Sequence, residues 1–240
     1  MSQSITAASL TRKISALFKL GAAILALPVA KLHFRSEPSP ESIRAVYKYF
    51  TKPHPKYKVF GNKVLGAALI DLRNFASGDE FVELLRRSGR GAAERKKAQA
   101  RGLRVCRIDR NALADEIHQI NVSSPVRQGR AMDPGYVEKQ GRYEDLPHFR
   151  YFGVFDRKEV LVGYCDVGVF GNFACADRIL GLRDNDGAMY LLVTEIALTL
   201  IEERELDYLM YDTVFGAKSG MRDFKHWLGF RPHRVRYTLD

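Results

Sequence analysis

Cysteine is scarce in this chain, and its arrangement rules out more than it suggests. The 240 residues hold three, Cys106, Cys165 and Cys175, with no Cys-x-x-Cys spacing. An odd, scattered set excludes a disulfide framework and a cysteine-based zinc site, and it fits a reducing compartment such as the cytoplasm. Cys165 sits inside an apolar run, where packing is the commoner role. No apolar run reaches the roughly 20 residues that a comfortable membrane span needs. Internal repeats and low-complexity tracts are also missing. Acidic residues are absent from residues 1–36, which nevertheless carry Arg12, Lys13, Lys19, Lys31 and Arg35.

What is present is positive charge. Lys and Arg number 38 against 28 Asp and Glu, a formal net charge of +10. Scattered surface charge accounts for such an excess, and so does an anionic partner: nucleic acid, a phosphorylated cofactor or a membrane surface. Hydrophobic residues make up 46% of the chain, enough for a sizeable core.

The basic N-terminal part contains the apolar stretch Leu20–Ala30. Pro28 and Ala30 make a poor small-x-small cleavage site for a signal peptide. A packed helix, a cleaved organelle leader, and a basic helix laid on an anionic membrane surface through residues 10–35 all stay open. Breaker clusters at Ser36–Pro40 and Lys52–Pro55 flank a short helical segment, Glu41–Phe50. The expected division is 1–36 as a membrane-surface or targeting helix, 37–102 as helices and a strand on the core, and 103–240 as the main domain.

Helices are expected at Asp79–Arg87, Gly91–Arg101 and Asn111–Asn121, and strands within Val59–Ile70 and at Leu103–Ile108. The polar loop Ser123–Arg130 carries Arg127, Gln128 and Arg130. Guanidinium forks beside an amide and a glycine can hold a phosphate or an acceptor substrate. Phe149–Phe155 and Val160–Val169 read as a hairpin through Asp156–Glu159, with Phe173–Leu180 as a third strand. A helix at Ala188–Arg204, a buried strand at Leu206–Val214, a short helix at Ser219–Leu228 and a last strand at Pro232–Leu239 follow. The expected fold is α+β (an α/β mixed sheet): a central mixed, mostly antiparallel sheet flanked by helices, with an N-terminal helical extension.

This order sets helix N-termini beside strand ends. The loop Gly181–Gly187 runs into a helix whose free N–H groups and partial positive charge suit a phosphate, and Arg183 adds a formal charge. Asp184 and Asp186 there fit helix capping better. Asp212 ends a buried strand and is the candidate base or acceptor-orienting group. Tyr208 and Tyr211 lie three apart in that strand, hence on opposite faces, so at most one of them, with Tyr211 the candidate, points at a site. Lys225 could hold a phosphate or stabilise a leaving group. Glu195 and His226 fit packing roles.

From Leu103 to Asp240 the order resembles the GNAT superfamily of acyltransferases. In that family the loop before the central helix reads Arg or Gln, x, x, Gly, x, Gly or Ala. Arg183, Gly187 and Ala188 are the nearest equivalents, with the glycine one place late. Leu228-Gly229-Phe230 matches the family's Leu-Gly-Phe, and Lys225 stands where a tyrosine often protonates the departing thiolate. The resemblance implies acyl transfer from acyl-CoA or acetyl-CoA to an amine, with no metal. Phe224–Phe230 and the basic run Arg95–Gly102 are also similar to the Fem-type and lysyl-phosphatidylglycerol-type aminoacyl transferases. That likeness implies aminoacyl-tRNA as donor, and phosphate contacts would then explain the charge. Readings from other classes are a non-catalytic nucleic-acid-binding protein, using the clusters at 86–107 and 222–236, and a membrane-associated adaptor.

Overall fold

The structure, a computed structural model, describes residues 21–127, 130–183 and 187–240. Among the described residues, the helical residues 21–25 are followed by β1 (Val29–Phe34), α1 (Pro40–Thr51), β2 (Leu65–Asp71), α2 (Gly78–Ser88) and α3 (Arg90–Ala100). Next come β3 (Arg104–Arg107), α4 (Ala114–Val122), the short β4 (Val126–Arg127) and β5 (Arg130–Ala131), and α5 (Pro134–Val137). The remainder is β6 (Phe149–Phe155), β7 (Leu161–Val169), β8 (Phe173–Gly181), α6 (Ala188–Glu203), β9 (Tyr208–Thr213), α7 (Ser219–Trp227) and β10 (Arg231–Leu239).

Eight strands form one sheet in the order β1-β10-β2-β9-β8-β7-β6-β3. The pairs β1–β10 and β8–β9 are parallel and the others antiparallel. The expected mixed, mostly antiparallel sheet is therefore present, with helices on both faces.

On one face, Leu191, Leu192, Ile196 and Leu200 of α6 pack on Phe152, Val154, Val167, Ala174 and Leu209, with Phe81 and Leu85 of α2 beside them. The start of α6 lies tight against α3. Gly187 has a φ of 81°, and a Cβ there would come within 2.5 Å of the Glu94 carbonyl oxygen, so only glycine fits. On the other face, α1 covers Phe34, Phe173, Tyr208 and Met210, while α4 covers Phe155, Tyr164 and Leu180. Phe34 is fully buried and meets Tyr47, Phe50 and Phe173 edge-on. Each such buried ring stabilises by roughly 2–3 kcal/mol, which fastens the edge strand to α1.

Three local expectations change. Residues 21–25 are helical, but Val29–Phe34 is a sheet strand rather than helix. Ala30, Leu32 and Phe34 are buried in alternation, a period of two that the apolar run before it masks. Residues 1–20, and with them the first part of the 10–35 surface-helix expectation, lie outside the described residues. The strand expected from Val59 starts only at Leu65, because Pro53 and Gly61 close a turn first. The loop Ser123–Arg130 contains one side of a small hairpin, β4–β5. β2, from the 37–102 part, lies between β10 and β9 inside the main sheet. Among the described residues no helix is long and apolar enough to cross a membrane.

Candidate functional site

The parallel strands β8 and β9 pair over three residues only, Phe173–Tyr208, Ala174–Leu209 and Cys175–Met210. Beyond that point each strand carries a bulge against its other neighbour. In β8, Asp177 is the extra residue between the pairs Val167–Ala176 and Asp166–Arg178. In β9, Tyr211 and Asp212 fall between the pairs Leu69–Met210 and Ala67–Thr213. Bulges bend a strand and end its pairing, so β8 and β9 separate and the sheet opens. Asp212 takes a φ of 51°, a left-handed conformation that aspartate tolerates better than most residues.

The opening has a cavity on each face. On the α1 side lies a cleft of about 840 Å³, floored by Cys175, Asp177, Ile179, Met210 and Asp212 and walled by Tyr49, Phe50 and the 131–136 segment. On the opposite side, a pocket of about 320 Å³ is bounded by Gly181, Arg183, Met189, Met221 and Phe224. Tyr211 borders both.

The charges are unevenly distributed around this opening. The Asp212 side chain is 51% exposed and accepts an ion-paired hydrogen bond from Lys63 Nζ. Surrounding protein raises the Asp177 carboxyl above its ordinary value, with Arg178 opposing. Cys175 feels both carboxylates: burial first, then Asp177 and Asp212, push its thiol up to about 12. A thiol held that high is not a nucleophile at neutral pH. Lys225 is 2% exposed; its Nζ donates to the Thr213 carbonyl at 2.9 Å and lies 4.6 Å from the centre of the Tyr211 ring. Burial lowers this ammonium to about 8, while Asp212 opposes the shift and Lys63 adds to it. Burial likewise raises the Tyr211 hydroxyl.

The other residues singled out by sequence divide. Arg127 donates to the Gly181 and Ile120 carbonyls at 3.0 and 2.9 Å and to Ser123 Oγ at 2.9 Å. Arg183 donates to the Val126 carbonyl at 2.8 Å. The two guanidiniums thus brace β4 against the end of β8 at the rim of the smaller pocket. Gly187 and Ala188 are buried in helix packing. Gln128, Asp184 and Asp186 lie outside the described residues, and Arg130 contributes its backbone to β5. Tyr208 and Tyr211 do point to opposite faces, one into each core cluster. Glu195 accepts two hydrogen bonds from Arg95, tying α6 to α3, and His226 is exposed on α7. The structure therefore gathers Arg127, Arg183, Tyr211 and Asp212 at one opening, with Lys225 behind the tyrosine.

Asp177 and Lys63 join the site without having been expected there. Asp177 had a local signal, a charge that interrupts the apolar run Phe173–Ala176. Lys63 had none, because its partner is 149 residues away. Among the described residues no cluster of three or more His, Cys, Asp or Glu side chains could hold a metal ion.

A mixed sheet whose parallel pair separates over an opening, with helices on both faces, is the GNAT-like α+β fold. Solved structures of similar fold include FemX, with a TM-score of 0.55 and 11% identity over 83% of this chain and 67% of that one. L-PGS from Bacillus licheniformis aligns at 0.47 and 15% identity over 70% of this chain. A C-terminal domain described as that of a lysylphosphatidylglycerol synthetase, from Agrobacterium fabrum, aligns at 0.48 and 15% identity over 71%. This chain spans 59% and 58% of those last two. No protein-family model and no curated protein matches the chain. At 11% identity the likeness to FemX is one of fold.

Proposed function

We propose that this protein is an acyltransferase that moves an acyl group from a thioester or ester donor to an amine. One observation carries the reading: the opening between β8 and β9 has a pocket on one face and, on the other, a cleft floored by Asp177 and Asp212, and Tyr211 borders both. Two substrates can therefore approach one point from opposite sides, which is what direct transfer requires.

An amine arrives as an ammonium ion and must lose a proton before it attacks a carbonyl. Asp212, half exposed on the cleft floor, orients the ammonium. Asp177, whose carboxyl burial makes more basic, accepts the proton. Lys225 does not reach solvent, so its part is positional: it ties α7 to Thr213 and sets a positive charge behind the Tyr211 ring. Arg127 lines the cleft, and we assign it to acceptor binding together with Gln128 and Arg130.

The donor we assign first is acyl-CoA or acetyl-CoA, entering the pocket where α6 begins and Arg183 stands. Aminoacyl-tRNA is the second reading, and a specific observation favours it. The residues matched to the CoA loop are engaged elsewhere: Arg183 on the Val126 carbonyl and Gly187 against Glu94. A net charge of +10 also suits a polyanion.

Thermal unfolding with each ligand separates the readings. A ligand at a hundred times its Kd stabilises by about 2.7 kcal/mol, a readily measured shift. A shift with CoA but not tRNA supports the first donor, and salt-sensitive tRNA binding with no response to CoA supports the second. Mass spectrometry of the purified protein for a co-purifying CoA species or RNA gives an independent answer. If neither ligand binds and no transfer to an amine panel occurs, the acyltransferase reading is lost and a non-catalytic module takes its place.

A further inference from the structure

Residues 42–70 contain no acidic residue and six cations: Arg44, Lys48, Lys52, Lys56, Lys58 and Lys63. Lys63 pairs with Asp212 in the cleft. The other five are exposed, and none meets a carboxylate among the described residues. Five lone cations on one short stretch make a surface that repels itself and attracts anions.

This stretch also presents apolar groups. After α1 the chain folds into a knob, closed by hydrogen bonds from His54 N–H to the Phe60 carbonyl at 2.8 Å and from Asn62 N–H to the Lys52 carbonyl at 2.7 Å. The rings of His54, Tyr57 and Phe60 pack together, with centres 5.1 to 5.8 Å apart. Lys58 adopts a φ of 58° at the turn. The result holds Val59 outward at 86% exposure, with Tyr57 beside it at 54%. Lys56 Nζ sits over the Tyr57 ring at 5.3 Å, and Lys52 Nζ over the Tyr49 ring at 4.6 Å.

We propose that this knob, residues 52–63, docks the protein on an anionic membrane surface. The chemistry matches in order of depth: an aliphatic tip for the acyl boundary, a tyrosine for the headgroup layer, and a lysine collar for lipid phosphates. A single-stranded nucleic acid would need open ring faces for its bases. Here Tyr57 stacks on Phe60 and has Lys56 over its ring, and the exposed valine would gain nothing from a base. Tyr49 and Lys63 also line the large cleft, so docking brings the cleft mouth to the membrane. The proposal goes beyond acyl transfer and does not depend on it.

Co-sedimentation of the full chain with vesicles tests it, comparing phosphatidylcholine alone with phosphatidylcholine plus phosphatidylglycerol. The expected result is binding to the anionic vesicles only, weakened by salt. Val59→Asp should lower the partition coefficient by about tenfold, the loss of one buried aliphatic side chain. Lys56→Glu with Lys58→Glu should lower it by roughly thirtyfold or more. All three positions are exposed, so an unchanged unfolding temperature confirms that the variants fold. Vesicle binding that Val59→Asp leaves intact would overturn the proposal and assign any membrane affinity to residues 1–36. Absence of wild-type binding would overturn it as well, and so would tighter binding to a single-stranded RNA that Val59→Asp leaves unchanged.

Discussion

Two ion pairs, Arg110–Asp166 and Lys63–Asp212, show the same chemistry in opposite settings. Asp166 projects from β7, which is paired on both sides along its length, and its side chain is 4% exposed. Arg110 meets it at 3.0 Å while lying over the Tyr151 ring at 3.8 Å. The other carboxylate oxygen, Oδ1, is buried without a hydrogen-bond partner, and burial raises the carboxyl to about 6 despite the arginine. Asp212 projects from a bulge where β9 has lost β8, and its carboxylate is half open to the cleft. A carboxylate under a closed ladder is confined to holding structure. One at the edge of a broken ladder can meet a substrate.

The largest expected effect breaks the closed pair. Asp166→Ala should cost about 3–5 kcal/mol in urea or thermal unfolding, because it leaves a buried guanidinium uncompensated. A loss below about 1 kcal/mol would show that the pair is solvated. The pH dependence has a definite sign. With the folded carboxyl raised from 3.8 to about 6, the native state binds more protons than the unfolded chain in that window. This group's contribution to stability therefore falls as pH rises from 4 to 6, and Asp166→Asn should flatten that slope.

Lys225 provides the next test. Its ammonium is lowered from 10.5 to about 8, so between those values the unfolded chain binds more protons than the native one. Stability should rise with pH across that window by at most about 3 kcal/mol. Lys225→Met should remove the rise, as read from unfolding temperatures between pH 7.5 and 10. A wild-type protein with no such rise would mean that water reaches the ammonium.

The open pair should respond in rate rather than stability. Asp212→Asn should slow transfer to an amine by about a hundredfold and change stability by less than about 1 kcal/mol. Asp177→Asn should slow transfer similarly, and full activity in either variant would remove that residue from the mechanism. The smallest effect belongs to Lys63→Met, a stability change of under about 1 kcal/mol, since its partner is half exposed. A change several times larger would mean that Lys63 closes the cleft rather than lining it.

Much of the element order was legible from periodicity and breakers. Apolar residues at helical spacing placed α6, and alternation with a four-residue turn placed the β6–β7 hairpin. Val29–Phe34 was misread because a glycine- and alanine-rich apolar run precedes it and obscures the alternation. The site was legible only in part. Asp212 could be singled out as a charge at the end of a buried strand, and Arg183 as a cation before a helix. Whether their side chains were free could not be read, since Arg183 donates to the Val126 carbonyl, 57 residues away in the chain.

By itself, then, the sequence determined the series of helices and strands from Phe149 onward, the opposite facing of Tyr208 and Tyr211, and the excess of positive charge. Each follows from local spacing or from counting. Only the tertiary structure decided that β8 and β9 separate after Cys175 and Met210, that Asp177 joins Asp212 at the opening, and that Lys63 pairs with Asp212. A bulge is a pairing of two residues against one, so it exists only once the partner strand is in register. An ion pair spanning 149 residues likewise requires β2 to be seated beside β9.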